Sequence, residues 1–223
     1  MSEVLRVLMV DDDPFTRSTL ASSLQVLGCY VITADSVSSA IRAMRDYTGD
    51  TPPNVALLDL DLGEGPTGLD LAQTLREEYP TLAIVILSTY QDPRYLGSNQ
   101  PALPDGGIYL VKSSVTGPKV LGDALKQAVE NMQRPAKKSR KDGEVGKSEL
   151  SDKQVEIMRL VAGGLANAEI AKRLWMTESA VEKSITRLIK NLNLSSSKDQ
   201  NQRVLIASAY HQYTGSVNVR TES

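Results

Sequence analysis

The sequence contains very few of the side chains that support redox, metal–thiolate and triad chemistry. Its 223 residues include one cysteine, Cys29, and one histidine, His211. One cysteine excludes an intrachain disulfide and any metal site made of several cysteines. A lone histidine far from Cys29 leaves no Cys–His pair within one helix turn, and no Ser–His–Asp set is indicated.

Long apolar runs are also missing. None approaches the roughly 18–20 residues of a membrane helix. The N-terminus MSEVLRVLMV lacks the basic and then apolar pattern of a secretion signal. We therefore expect a cytoplasmic protein without a membrane partner.

Charge is unevenly distributed along the chain. Residues 1–131 hold 9 Lys and Arg against 17 Asp and Glu, whereas residues 132–223 hold 16 against 10. Chance scatter of surface charge would also give some asymmetry. An acidic half joined to a basic half nevertheless indicates cation binding in the first and contact with a polyanion in the second.

The first half alternates short β-rich runs with helical patterns. The predicted strands are Arg6–Val10, Tyr30–Thr33, Val55–Leu58, Ala83–Leu87 and Ile108–Val111. Apolar residues such as Phe15, Leu20, Leu24 and Leu27 recur at helical spacing before Gly28, a residue typical of helix ends. Nearly all-apolar strands alternating with helices predict a doubly wound, five-stranded parallel sheet of the α/β class.

One connection departs from this alternation. Between the fourth and fifth strands the chain reads DPRYLGSNQPALPDGG, with three prolines and three glycines. Pro costs about 3 kcal/mol and Gly about 1 kcal/mol inside a helix. Residues 91–107 should therefore form a short or irregular helix and a long loop.

The remaining chain predicts a linker and a second domain. Residues 132–148 lack apolar periodicity and indicate a flexible basic linker. Ser151 and Gln154 form a capping box, and four short helices follow, near 151–162, 167–174, 178–192 and 199–210. We assign residues 1–131 to the first domain, 149–213 to a small all-α domain and 214–223 to a tail.

Polar side chains follow four of the predicted strands. They are Asp11–Asp13 after the first, Asp59 and Asp61 after the third, Ser88 and Thr89 after the fourth, and Lys112 after the fifth. Alone, an Asp run after a strand is more often part of a turn or a helix cap than a metal site, and a lone Lys at a strand end is usually a solvated charge. Because ligands of open α/β sheets bind at the carboxyl ends of the strands, their joint placement indicates a Mg²⁺ site and phosphoryl transfer onto an aspartate.

The motifs LMVDDD, VALLDLDLG, AIVILST and GIYLVKSS occur in the order found in receiver domains of two-component response regulators, which residues 5–130 resemble. The resemblance implies that Asp59 accepts the phosphoryl group and that Asp11, Asp12 and Asp59 bind Mg²⁺, with a backbone carbonyl from Asp61. It also implies that Lys112 binds the phosphoryl group. Ser88 and Tyr109 would act as switch residues, and Tyr109 would turn inward on activation.

Two alternatives remain for this half. The VALLDLDLG motif is also similar to the nucleophile motif of haloacid-dehalogenase-type phosphohydrolases, in which the first Asp attacks a phosphate ester. The acid run at residues 11–13 lies upstream rather than downstream, which disfavours such an enzyme. The other alternative is an atypical receiver that signals by protein contact without phosphorylation.

The basic half contains a second resemblance. The stretch LSDKQVEIMRLVAGGLANAEIAKRLWMTESAVEKSITRLIKNLNL resembles the LuxR-type, or NarL/FixJ-type, helix-turn-helix domain. The resemblance implies that Thr177–Leu192 would enter the major groove of DNA. The candidate DNA contacts are Lys172, Arg173, Thr177, Lys183, Thr186, Arg187 and Lys190.

Several positions depart from that pattern. Ala180, Glu182 and Ser184 stand where Thr, Lys and His are common, and Ala166 lacks a capping side chain. We expect modest DNA affinity for this reason.

Together these patterns predict a response regulator rather than an enzyme. A histidine kinase would phosphorylate Asp59, and phosphorylation would release or dimerise the DNA-binding domain. In the dimer, Val204, Ile206 and Ala207 of the last helix would pair across a two-fold axis.

Overall fold

The computed structural model describes residues 4–97, 100–133, 150–194 and 201–215. They fall into two compact units. The N-terminal unit comprises the described residues of Met1–Ser88 and Gln100–Val145, and the C-terminal unit those of Thr89–Asn99 and Gly146–Ser223. The sequence-based boundary at residue 131 does not anticipate that residues 89–97 pack with the C-terminal unit.

The N-terminal unit contains one parallel sheet of five strands in the order β2-β1-β3-β4-β5. The strands are β1 Arg6–Val10, β2 Tyr30–Ala34, β3 Val55–Asp59, β4 Ala83–Ser88 and β5 Ile108–Val111. All pairings are parallel, with Val10 opposite Leu58 and Asp59 opposite Leu87. The predicted doubly wound sheet is confirmed.

Helices cover both faces of this sheet. They are α1 Pro14–Val26, α2 Val37–Arg45, α3 Gly68–Glu78 and α4 Pro118–Gln133. Alternate strand residues such as Val7, Leu57 and Val85 share a buried cluster with Leu125 of α4 and Leu24 of α1. The sheet is thus buried on both sides, which explains why its strands are nearly uninterrupted apolar runs.

Two details of these helices differ from the sequence prediction. Phe15 shares the helical spacing of the apolar residues of α1 but is 77% exposed, and only Leu24 of α1 is buried. Helix α4 extends through Met132 and Gln133, so these residues are helical rather than part of the predicted linker. The remaining linker positions, 134–148, lie outside the described residues.

The connection from β4 to β5 contains one short 3-10 turn, Pro93–Tyr95, and loop elsewhere among its described residues, which agrees with the predicted short or irregular helix and long loop. Its second part is bound to α3, because Gln73 donates a hydrogen bond to the Ala102 carbonyl and Arg76 donates one to the Asp105 carbonyl. Its first part, residues 89–97, belongs to the C-terminal unit and is called the connector below.

The C-terminal unit contains four helices among its described residues. They are α5 Asp152–Ala162, α6 Asn167–Arg173, α7 Glu178–Asn191 and α8 Gln202–Thr214. The predicted capping box of Ser151 and Gln154 opens α5. Their apolar faces form one buried cluster. Helix α8 extends to Thr214, and the tail residues 216–223 lie outside the described residues.

One side chain of α8 contradicts its predicted role. Ile206 is fully buried in the core of the C-terminal unit, so it does not belong to a dimer surface. Val204 remains 64% exposed on another side of the helix. Within the described ranges, every helix is too short or too polar to span a bilayer.

Candidate functional site

The acidic residues of the N-terminal unit converge because two neighbouring strands end together. Asp11 follows β1 and Asp59 is the last residue of β3, its partner in the sheet. The strand order reverses between β1 and β3, and at such a point the carboxyl ends of the strands flank a crevice. Asp13 instead caps α1 by accepting a hydrogen bond of 2.6 Å from the Thr16 backbone N–H.

Lys112 joins this group from the end of β5. Its Nζ atom donates hydrogen bonds of 2.6 Å to Asp59 Oδ2 and 3.2 Å to Asp11 Oδ2. The side chains of Asp11 and Asp59 are 2% and 10% exposed, so these are largely desolvated ion pairs. The structure therefore brings together Asp11, Asp59 and Lys112 from three separated segments.

Asp12 completes a set of carboxylates suited to a divalent cation. One carboxylate oxygen from each of Asp11, Asp12 and Asp59 lies within 4.8 Å of the others. Oxygen-only ligands of this kind suit Mg²⁺, which retains several waters and uses few protein carboxylates. The donor set fits the cation.

Burial controls the protonation of Asp59. Desolvation raises the pKa of this carboxyl group from 3.8 to about 6. Lys112 and the backbone N–H of Asp61 lower the pKa, whereas the charge of Asp11 raises it. Ionised Asp59 therefore needs nearby positive charge, and Lys112 offsets the effect of burial only in part.

This pKa predicts a pH-dependent stability. The folded value exceeds the unfolded value, so protonated Asp59 contributes stability that is complete below 3.8 and is lost as pH rises through about 6. We expect Asp59→Asn to raise the free energy of unfolding by about 1–3 kcal/mol near neutral pH in chelator, and by much less at pH 4. Urea unfolding at both pH values measures this difference.

The matched control is Asp123→Asn, which changes an exposed carboxylate on α4. It should leave the pH dependence of stability unchanged. Equal stabilisation by Asp59→Asn at both pH values would contradict the raised pKa.

A glycine fixes the backbone behind Asp59. Gly68 begins α3, and a Cβ atom added to it would lie 1.9 Å from the carbonyl oxygen of Asp59. The Gly68 backbone N–H also donates a hydrogen bond of 2.9 Å to the Leu60 carbonyl. Only a residue without a side chain permits this approach of α3 to the end of β3.

The two candidate switch residues lie on β4 and β5. Ser88 is fully buried at the end of β4, opposite Val111 in the sheet. Tyr109 is 4% exposed, so its ring is already buried in this structure. Its predicted rotation and the predicted metal contact of the Asp61 carbonyl stay predictions.

The C-terminal unit presents a cationic helix face. Val181, Ile185 and Leu188 of α7 are buried in the core of the unit. The seven predicted DNA contacts are all exposed: Lys172, Arg173, Thr177, Lys183, Thr186, Arg187 and Lys190.

Three of these residues have partners within the unit. Arg173 pairs with Glu169 at 3.1 Å, Thr186 donates to the Glu182 carbonyl, and Thr177 caps α7. Across the described residues, Lys183, Arg187 and Lys190 form no ion pair, so their charges are available to a polyanion.

The atypical residues of α6 and α7 have structural consequences. Glu182 is exposed beside the cationic face, and Ser184 donates a hydrogen bond of 2.8 Å to the Ala180 carbonyl. Ala166 precedes α6 with an extended backbone and makes no side-chain cap, as predicted.

Restoring the cap should stabilise the C-terminal unit. We expect Ala166→Ser to raise its free energy of unfolding by about 1 kcal/mol, because the hydroxyl can accept a hydrogen bond from the first turn of α6. Ala168→Ser, an exposed position inside the same helix, is the control and should not stabilise. Thermal unfolding of the full chain measures both, and equal effects would contradict a capping role.

Two features of this unit have no counterpart in the sequence-based predictions. Trp175, the only tryptophan, is 95% exposed in the turn before α7 and has a left-handed φ of 52°. Asp92, Arg94 and Tyr95 of the connector are parts of its fold. A fully exposed Trp has no sequence signature, and the connector's composition indicated only an irregular loop.

Comparison with known proteins gives matches to both units. Residues 7–100 match the family described as the response regulator receiver domain, and residues 148–202 match the bacterial regulatory proteins of the luxR family. Relatives match across both regions. The nitrate/nitrite response regulator protein homolog of Haemophilus influenzae is 28% identical over 88% of this chain and 94% of its own. The nitrate/nitrite response regulator protein NarP of Escherichia coli is 29% identical over 86% and 90%.

Solved structures agree on the fold. The response regulator RcsB in complex with DNA has a TM-score of 0.53 and 20% identity, covering 97% of this chain and 100% of its own. The two matched families, the full-length relatives and the acidic pocket lead to one assignment. The chain is a response regulator that contains a receiver domain and a LuxR-type DNA-binding domain.

Proposed function

We propose that Asp59 accepts a phosphoryl group and that this modification controls the binding of α7 to DNA. The observation that carries the proposal is the contact of Lys112 Nζ with the Asp59 carboxylate at 2.6 Å, next to Asp11 and Asp12. A buried acid in contact with an ammonium group, beside further metal-ligating acids, suits an acceptor of phosphoryl groups.

The chemistry is a displacement at phosphorus. A carboxylate oxygen of Asp59 attacks the phosphorus atom, and the bond between phosphorus and its donor breaks with the electron pair leaving on the donor. Lys112, already 2.6 Å from this carboxylate, would move its donors to the phosphoryl oxygens. The hydroxyl of Ser88, at the adjacent strand end, would bind another phosphoryl oxygen.

Asp11, Asp12 and Asp59 would hold Mg²⁺, with the carbonyl of Asp61 as a further ligand. When bound, the cation would neutralise charge on the transferred phosphoryl oxygens and on the ionised form of Asp59, which burial alone disfavours.

The output is contact with duplex DNA. Thr177 and the first turn of α7 would face base edges, with Lys183 and Thr186, while Arg187 and Lys190 would contact phosphates. Lys172 and Arg173 at the end of α6 would add phosphate contacts. A sensor histidine kinase would be the donor, and Val204 of α8 would contribute to a homodimer on DNA.

Intact mass spectrometry tests the acceptor. Wild type and Asp59→Asn are incubated with Mg²⁺ and a small phosphodonor. We expect one added phosphoryl group on wild type and none on the variant. The control is Asp13→Asn, which changes a neighbouring carboxylate that is not the proposed acceptor and keeps a side chain able to cap α1.

Binding to DNA is measured on the same samples. The probe is a pool of random-sequence duplexes from which the wild type selects its ligands. Trp175 is a built-in reporter, because it is the only tryptophan and lies just before α7. Its emission should change when DNA covers α7.

Each alternative gives a different result. Catalytic release of phosphate without an adduct would favour the phosphohydrolase. DNA binding by a wild type that accepts no phosphoryl group would favour the atypical receiver. An adduct without any DNA binding would contradict the proposed output.

A further inference from the structure

The core of the C-terminal unit is completed by a segment from outside its four helices. Tyr95 of the connector is 1% exposed in the same buried cluster as residues of α5, α7 and α8. Its ring stacks on Tyr213 at a centroid distance of 5.6 Å and meets the edge of Tyr210 at 5.9 Å. Aromatic pairs with these geometries are favourable beyond the area that they bury.

Polar contacts hold the same segment on α8. The Gln91 backbone N–H donates to the Tyr213 carbonyl at 2.9 Å, and the Tyr210 hydroxyl donates to the Tyr95 carbonyl at 3.0 Å. These two hydrogen bonds fix the position of the connector backbone on α8, because both would break if the segment shifted along the helix.

Arg94 joins the connector to α5. Its guanidinium donates to both carboxylate oxygens of Asp92, to the Leu150 carbonyl at 3.0 Å and to Asp152 Oδ1 at 2.7 Å. Asp92 is completely buried, so its charge depends on this neutralisation. A planar guanidinium can serve all these acceptors, whereas a single ammonium group cannot.

The connector begins next to the candidate phosphoacceptor site, because Thr89 follows Ser88, the candidate phosphoryl-binding residue. The chain beyond the connector is described again from Gln100, whose Oε1 atom accepts a hydrogen bond of 3.0 Å from Thr67. Thr67 is the N-cap of α3, the helix whose first residue packs on the Asp59 backbone.

We propose that α5 and α8 form a docking surface for the connector, and that this docking transmits the state of Asp59 to the DNA-binding unit. This inference rests on the proposed function. A displacement of Ser88 towards a phosphoryl group also displaces the backbone of Thr89. The contacts of Tyr95 and Arg94 transmit this displacement to α8 and α5. Helix α7 packs against both helices in one core. The orientation of α7 towards DNA therefore depends on the position of the connector.

Arg94→Lys tests the docking with little change in volume or charge. Its matched control is Arg159→Lys, because Arg159 binds Glu156 through two hydrogen bonds within α5 and has no hydrogen bond or ion pair to the described connector residues. The full chain is phosphorylated with a small phosphodonor and Mg²⁺, and the Asp59 adduct is quantified by intact mass. The DNA probe is the set of duplexes selected by the wild type from a random pool.

We expect phosphorylation to change the DNA affinity of the wild type and of Arg159→Lys by about tenfold or more. Arg94→Lys should form the same adduct, yet its affinity should change less than about twofold on phosphorylation, because the coupling is lost. Tyr95→Ala, which removes the ring, should show the same loss. An undiminished ratio in Arg94→Lys with full adduct would overturn the inference.

Hydrogen exchange separates failure of this inference from failure of the proposed function. In the unphosphorylated wild type the Gln91 amide should be protected, and Arg94→Lys should expose it while α6 and α7 stay protected. Rapid exchange of Gln91 in the wild type would overturn the docking itself. A wild type that forms no adduct or binds no DNA would refute the proposed function and with it the coupling, whereas the exchange result would still decide whether the connector docks.

Discussion

Gly68→Ala should abolish phosphoryl transfer to Asp59 and strongly destabilise the receiver domain. The new Cβ atom would lie 1.9 Å from the Asp59 carbonyl oxygen and 2.8 Å from its carbonyl carbon. Both are backbone atoms of a buried strand, so no side-chain rotation relieves the overlap. Either α3 moves away or the end of β3 is displaced, and we expect a loss of about 3 kcal/mol or more.

Urea unfolding and intact mass after phosphodonor treatment measure the two effects. Gly117→Ala is the matched control, because a Cβ atom there meets nothing within 4 Å. Its stability and its adduct should equal those of the wild type. A Gly68→Ala protein with wild-type stability would show that α3 does not approach Asp59 this closely.

Lys112→Met should destabilise the receiver domain and slow phosphoryl transfer, because it removes the positive charge that pairs with Asp59 and Asp11. Asp59 and Asp11 would remain as neighbouring, largely buried carboxylates, and the loss of Lys112 would raise the pKa of Asp59 further. Breaking a buried pair on one side costs about 3–5 kcal/mol, and the 24% exposure of the Lys112 side chain places the expected loss near the lower end. The rate of adduct formation should fall about 100-fold, because a donor to the phosphoryl oxygens is gone.

The pH dependence identifies the cause. The destabilisation by Lys112→Met should shrink at pH 5, since Asp59 is then protonated in the variant and needs no counter-charge. Saturating Mg²⁺ at neutral pH should also restore part of the loss. Lys119→Met, on the exposed first turn of α4, is the control and should show neither effect.

The sheet could be predicted from the sequence because strand burial and chain pattern agree. The five strands are buried on both faces, which produces apolar runs that differ from the helical patterns between them. The acidic pocket could be predicted for a related reason. Residues that end adjacent parallel strands lie close together at one edge of the sheet, which applies to Asp11 and Asp59. Lys112 follows β5 at the same edge, two strands from β3, and its long side chain reaches both carboxylates.

Other features depend on tertiary contacts that leave no periodic signal. Phe15 follows the apolar spacing of α1 yet is exposed, because only the side of the helix near Leu24 meets the sheet. Ile206 was predicted on a dimer surface, because the sequence of α8 alone does not show which side of the helix faces the core. The place of Tyr95 rests on side chains more than 110 positions away in the chain, and local sequence patterns do not contain that information.

The path of the connector has a consequence for modular construction. Domains of multidomain proteins are commonly exchanged by cutting within the segment that joins them. A chimaera that joins residues 150–215 to a foreign receiver would lack Tyr95 and Arg94. The C-terminal unit would then lose the ring that stacks on Tyr213 and the ion-pair partner of Asp152. The transplantable DNA-binding module of this chain is therefore discontinuous, and a working graft must bring its own β4–β5 segment.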